Sequence, residues 1–142
     1  MTIERLFKRC FDDFSYGLLK FDAIIQAVIH HHQEHPYHGN LNHNTIIMQD
    51  ESISLLHSQT IIDIYQAPEQ LRSNTQAIDQ RTDIYALGIL GYRMLTNQIP
   101  QYDKDHHPIL EFSVNKTLPV TMTKIIQKCC IQAGHLLAGC LQ

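Results

Sequence analysis

The chain has 142 residues, of which 44% are hydrophobic and 18% are charged, and its formal net charge is −3. This length and composition indicate one globular domain over residues 1–142 and exclude a disordered chain. The 11 Lys and Arg residues are scattered rather than clustered, which argues against a nucleic-acid-binding surface. No apolar run approaches the roughly 20 residues that a membrane helix needs. The N-terminus also lacks a signal-peptide core, so we expect a cytoplasmic protein.

Two helices are predicted in the N-terminal part of the chain. The first spans residues 2–11, and the polar stretch at 12–15 ends it. The second is predicted to begin with Asp22 as its N-cap, to continue to about His32 and to end before Pro36. Apolar residues at helical spacing predict the buried faces, namely Ile3, Leu6, Phe7 and Cys10 in the first helix and Ile24, Ile25, Val28 and Ile29 in the second.

A small β-hairpin is predicted near the middle of the chain. Its strands are Thr45–Met48 and Ile53–Leu56, which are rich in β-branched and aliphatic residues and are separated by a polar turn. A last helix is predicted at Met122–Ile131, with Ile125, Ile126 and Cys129 on one side. Together these elements predict a mainly α fold with a small β-hairpin.

The longest apolar helix is predicted within residues 79–95. Because it is apolar on nearly every face, we expect it in the middle of the core. Thr82 is the predicted N-cap, and Asn97 follows the last helical residues. Gly88 and Gly91 each cost about 1 kcal/mol of helix propensity against Ala, so we expect another element to approach closely there.

Two neighbouring motifs carry a family resemblance. The sequence Ala67-Pro68-Glu69-Gln70, followed after a gap by residues 79–88 (DQRTDIYALG), resembles the end of a protein-kinase activation segment and its buried central helix. Residues 94–100 are similar to the end of that helix in serine/threonine kinases. The residues of these motifs resemble most closely those in the kinase domains of large bacterial multidomain signalling proteins. The resemblance covers residues 15–130, leaves 131–142 unassigned, and implies the large C-terminal lobe of a protein kinase-like fold with the small lobe absent.

The resemblance implies a degenerate catalytic loop. His38 matches the catalytic-loop histidine of the family, and Asn40 falls on its catalytic aspartate. Asn42 lies two positions further along. Thr45 and His57 fall on the positions that bind magnesium in the family.

These replacements bear directly on the chemistry. Phosphoryl transfer to a hydroxyl needs a carboxylate to accept or orient the proton, and it needs magnesium. Asn40 has the shape of aspartate but no charge and no useful basicity. Magnesium prefers oxygen ligands, usually including a carboxylate, and neither Thr45 nor His57 supplies one. We therefore predict a truncated, catalytically inactive kinase-like domain (a pseudokinase fragment) with a binding or regulatory role in signalling. The family uses ATP and Mg²⁺, but no cofactor is expected here.

Structural roles are implied for His38 and for two acidic residues. Asp83 lies where a negative charge meets the positive end of the central helix. In the family, an arginine beyond the last helix pairs with the glutamate that Glu69 matches, but no Arg follows Arg93 in this chain. Glu69 therefore needs another partner or a solvated position, because a buried unpaired carboxylate is costly.

Alternative functions stay open at this level. One is an active kinase, or one completed by a small lobe on another chain, that transfers phosphate from ATP to Ser or Thr. Another is a His-rich metal-binding helical domain, because two of its histidines lie one helical turn apart. The missing small lobe also leaves one face of the lobe uncovered, which predicts a protein partner or self-association there. The dense histidines are His30, His31, His32, His35 and His38.

Overall fold

The chain folds into helices with two small antiparallel hairpins. The computed structural model describes residues 2–49, 52–71, 78–112 and 118–130. It confirms the predicted class, mainly α with a small hairpin, and adds a second hairpin. The elements in chain order are α1 (Ile3–Asp12), α2 (Phe14–Glu34), β1 (Ile46–Gln49), β2 (Ser52–Leu55), a 3-10 turn (Asp63–Tyr65), α3 (Pro68–Leu71), α4 (Gln80–Thr96), β3 (Gln101–Tyr102), β4 (Pro108–Ile109) and α5 (Val120–Cys129).

A single residue, Asp13, separates α1 from α2. Its main-chain N–H donates to Arg9 O at the end of α1, and its side chain accepts the N–H of Tyr16 at 3.2 Å in the first turn of α2. Helix α2 therefore begins at Phe14, and the predicted start at Asp22 is wrong. Residues 12–15 were predicted to be a break, whereas Asp13 ends one helix and caps the next.

Helix α4 lies in the middle of the core, as predicted. It packs against α1, α2, α5 and the 3-10 turn. Neighbouring elements on every side explain why the helix is apolar around its whole circumference. Its largest buried side chains include Tyr85, Ile89, Leu90, Tyr92 and Met94.

The N-terminus of α4 is capped by Asp79 rather than by the predicted Thr82. The Asp79 carboxylate accepts the N–H of Arg81 at 2.9 Å. Thr82 lies one turn further on and completes a capping box, since its hydroxyl accepts the main-chain N–H of Asp79 at 3.3 Å. At the other end, Asn97 is the C-cap in the left-handed conformation, with φ 54°.

The two glycines of α4 face close neighbours. A Cβ atom on Gly88 would lie 2.8 Å from both Cys129 Cβ and Cys130 Sγ, and one on Gly91 would lie 2.9 Å from Phe21 Cζ. Both contacts confirm the expected close approach. The partners at Gly88 belong to the end of α5, and the partner at Gly91 belongs to α2.

Helix α5 begins at Val120, earlier than the predicted Met122, and the predicted last residue Ile131 lies outside the described residues. Ile126 is buried, as expected. Ile125 is 45% exposed, so its predicted place on the buried side is wrong. Ile126 packs with Tyr92 and Leu95 of α4, whereas Ile125 points to solvent. The unassigned tail at 131–142 also lies outside the described residues.

The predicted β-hairpin is present, with a shift of one residue. Strands β1 and β2 are antiparallel, with Ile46 opposite Leu55 and Gln49 opposite Ser52. The second hairpin pairs β3 with β4, and local sequence pattern does not predict it. In the parts of the chain that the structure describes, no helix combines the length and apolar character needed to cross a membrane.

Candidate functional site

Asp83, in the first turn of α4, holds the loop that follows α2. Its side chain is 1% exposed and accepts the main-chain N–H of His38 at 2.8 Å and that of Gly39 at 2.9 Å. His32 Nε2, near the end of α2, lies 2.7 Å from the same carboxylate. These contacts replace water around a buried carboxylate. Asp83 therefore attaches the loop to the first turn of α4.

His38 joins this loop to the end of the first hairpin. Its Nε2 lies 2.8 Å from Leu56 O, and its Nδ1 lies 3.2 Å from the main-chain N of Asn40. A carbonyl only accepts and an N–H only donates, so the proton is on Nε2 and Nδ1 is the acceptor. Burial lowers the pKa of His38, which favours this neutral form.

Asn40, which the resemblance matches to the family's catalytic aspartate, acts as a hydrogen-bond donor. Its Nδ2 donates to Ser58 O at 2.8 Å and to Thr60 O at 2.9 Å, in the segment that follows β2. Its Oδ1 accepts from Asn42 Nδ2 at 3.1 Å. Both acceptors are exposed carbonyls, to which an amide nitrogen can donate and a carboxylate oxygen cannot. A carboxylate at position 40 would place its oxygens against the carbonyl oxygens of Ser58 and Thr60, and oxygens of this kind only accept hydrogen bonds.

Asn42 and Thr45 are buried and hold the loop together. The Thr45 hydroxyl donates to Asn40 O at 2.8 Å and accepts the main-chain N–H of Asn42 at 2.9 Å. Asn42 Oδ1 accepts the main-chain N–H groups of Asn44 and Thr45 at 2.8 Å and 3.1 Å. Both side chains are therefore committed to the fold of the loop.

His57 stacks on His38, with ring centroids 4.8 Å apart and an angle of 9° between the ring planes. Two histidines at the end of α2 complete a group of four rings. His31 and His35 stack at 4.3 Å, and His31 lies 5.2 Å from His38 and 5.6 Å from His57. We call His31, His35, His38 and His57 the histidine cluster. It contains three of the five histidines that the sequence analysis grouped and adds His57, which the first hairpin brings back to this place.

The histidine cluster does not have the geometry of a metal site. Within the described ranges, three potential ligand atoms lie within 4.8 Å of one another only at Asp103, Asp105 and His107. These residues form the turn between β3 and β4. Asp103 Oδ1 accepts the main-chain N–H groups of Asp105 and His107 there, so the turn itself explains their proximity. Metal binding by the histidines stays a prediction from sequence.

Glu69 is buried and has found a partner other than an arginine. Its Oε1 accepts the Thr82 hydroxyl at 2.7 Å. Its Oε2 is buried and has no hydrogen-bond partner among the residues that the structure describes. The hydrogen bond of Glu69 is therefore with the first turn of α4.

Gln70 is a residue of this site that the sequence analysis did not single out. Its Nε2 donates to Gly39 O at 2.6 Å, and its Oε1 accepts the main-chain N–H of Ala67 at 2.9 Å. Gln70 thereby attaches α3 to the loop that Asp83 holds from the other side. The sequence feature that could have indicated this role is the position of Gln70 directly after Glu69, in the motif that carries the family resemblance.

The chain is similar to one curated protein over part of its length. It is 30% identical to Serine/threonine-protein kinase A of Synechocystis sp., over 46% of this chain and 14% of that protein. No protein-family model matches the chain. The chain is mainly helical, its similarity to this kinase is partial, and it spans a small part of that protein's length.

Proposed function

We propose that this chain is a kinase-like large lobe that does not transfer phosphate and acts as a binding or regulatory module in signalling. The observation that carries the proposal is the donation from Asn40 Nδ2 to the carbonyls of Ser58 and Thr60. A group that accepts a proton from a substrate hydroxyl needs a lone pair directed at the substrate. Asn40 instead directs N–H groups at the protein's own main chain.

The positions that would hold magnesium do not fit the ion. The Thr45 hydroxyl is engaged within the loop, and the His57 ring stacks on His38. Neither residue offers a carboxylate, and imidazole suits softer metals than magnesium. We therefore derive no step of phosphoryl transfer through a metal at these positions.

The binding role rests on the surface beside this site. A groove lies between α1, the first turns of α2 and β1, and its apolar lining comes from Ile3, Leu6, Ile46, Ile47 and Met48. An apolar groove of this kind favours an interaction surface. We propose that a second copy of the chain binds there. Light scattering tests this idea, since Ile47→Ser would weaken a dimer, and a monomer at all concentrations would contradict it.

Phosphate transfer is tested by incubating the protein with γ-labelled ATP, Mg²⁺ and a Ser/Thr-rich substrate. We expect no transfer. We also expect no thermal stabilisation by ATP and Mg²⁺, whereas a ligand at a hundred times its Kd adds about 2.7 kcal/mol. Asn40→Asp should not create activity and should destabilise the fold. Asn44→Asp is the matched control, because Asn44 is an exposed residue of the same loop. Transfer that Asn40→Ala abolishes would overturn the proposal.

A further inference from the structure

The histidine cluster joins three separate parts of the chain. His31 and His35 belong to the end of α2, His38 to the loop held by Asp83, and His57 to the segment after β2. Two stacked pairs, His31 with His35 and His38 with His57, lie side by side. The segment after β2 therefore contacts the rest of the protein through the His57 ring as well as through the hydrogen bonds of Leu56 O, Ser58 O and Thr60 O.

The hydrogen bonds of the cluster fit neutral rings. His38 Nδ1 accepts the main-chain N–H of Asn40, so a proton on Nδ1 would set two donors against each other at 3.2 Å. His31 Nε2 is buried and has no hydrogen-bond partner in the part of the chain that the structure describes. A positive charge on either ring would therefore lack an acceptor at that nitrogen.

The charged groups around the histidine cluster would do little to stabilise a positive charge on its rings. From α2, His31, His32 and His35 face it, and His57 faces it from the segment after β2. From α4, Asp83 faces His38, but its oxygens already accept main-chain N–H groups and contact His32. Burial, followed by repulsion from the other three rings, lowers the pKa of His31. Burial also lowers the pKa of His38, against the opposing effects of Leu56 O and Asp83.

We propose that the histidine cluster is a pH-responsive latch, which holds residues 56–60 against α2 and the Asn40 loop at neutral pH and releases them when its rings are protonated. Release would break the contact of His38 with Leu56 O and the bonds from Asn40 to Ser58 and Thr60. The latch rests on the packing of the rings. It does not depend on whether the chain transfers phosphate, so either proposal can fail alone.

A tryptophan reporter can follow the latch. The chain contains no Trp, and Ile61, next to the latched segment, is 59% exposed, so Ile61→Trp adds one reporter at a tolerant position. Acrylamide quenching of its fluorescence should rise about twofold between pH 7.5 and pH 5.5, the range in which histidines titrate. Far-UV circular dichroism should stay constant over the same range, because only the segment moves.

Variants with a ring that cannot be protonated separate charge from packing. In the Ile61→Trp background, His57→Phe keeps a ring on His38 and should reduce the pH-dependent rise by at least about half. His35→Phe should act in the same way and serves as a second variant if His57→Phe does not fold. His30→Phe is the matched control, because His30 is exposed and outside the cluster, and it should keep the full response. A pH-independent signal in the parent, or an unchanged response in both cluster variants, would overturn the latch.

Discussion

Asp83 accepts a hydrogen bond from the main-chain N–H of His38 at 2.8 Å, and this bond joins residues that are 45 positions apart in sequence. One oxygen of a buried carboxylate thus fixes where the loop after α2 lies on the central helix. The orientations of His38 and Asn40 follow from that attachment, since both residues belong to the attached loop.

Asp83→Asn should destabilise the protein strongly. The variant keeps the size of the side chain, but its amide would direct N–H groups at main-chain N–H groups. Loss of charge-assisted, buried hydrogen bonds should lower the free energy of unfolding by about 3 kcal/mol, measured by urea denaturation. Asp105→Asn, at an exposed position, is the control and should have little effect. A loss below about 1 kcal/mol would contradict the anchoring role.

Gly88→Ala should be destabilising even though alanine is the better helix former. The added Cβ would lie 2.8 Å from Cys129 Cβ and from Cys130 Sγ, so α4 and α5 would have to move apart. Overpacking of this kind costs about 1–3 kcal/mol, against a gain of about 1 kcal/mol in helix propensity. We expect a lower urea midpoint than in the wild type. Gln80→Ala, exposed in the first turn of α4, controls for the propensity effect. A stabilised Gly88→Ala would show that the helices are not in close contact.

Stability should fall as the solution is acidified below about pH 6.5, the ordinary pKa of histidine. The pKa values of His31 and His38 are lowered in the folded state, mainly by burial, so the unfolded chain binds these protons first. Their contribution is complete above pH 6.5, decreases as pH falls, and is lost once pH has passed the folded-state pKa values. Urea denaturation at a series of pH values measures this slope. His31→Gln should flatten it, while His30→Gln should leave it unchanged. A free energy of unfolding that rises on acidification below pH 6.5 would refute the assignment.

Cys10 should resist alkylation in the folded protein. Its side chain is 2% exposed, and burial raises the pKa of its thiol to about 11. Since the thiolate is the reactive form, little of Cys10 can react at pH 8. Iodoacetamide labelling followed by peptide mass spectrometry should find Cys10 unmodified in buffer and modified in urea. Equal labelling rates in the two conditions would contradict the burial of this residue.

Several features of the fold follow from local sequence pattern. The uniform apolar character of α4 predicted its place in the core, because only a helix with neighbours on every side can be apolar all round. The β-branched runs around residues 46–55 predicted the first hairpin. The errors occurred at the ends of helices, where a single polar side chain determines which residue begins the helix. Asp13 caps α2, and Asp79 rather than Thr82 caps α4.

The sequence by itself determined the helical class, the buried central helix and the presence of an amide where Asn40 stands. Only the tertiary structure decided what these residues do. The contact of His38 with Leu56 O spans 18 positions and that of His32 with Asp83 spans 51. Local sequence pattern reports propensity and burial over a few helical turns, whereas contacts between residues far apart in sequence depend on the tertiary fold. For that reason, the histidine cluster and the donor role of Asn40 were visible only after folding.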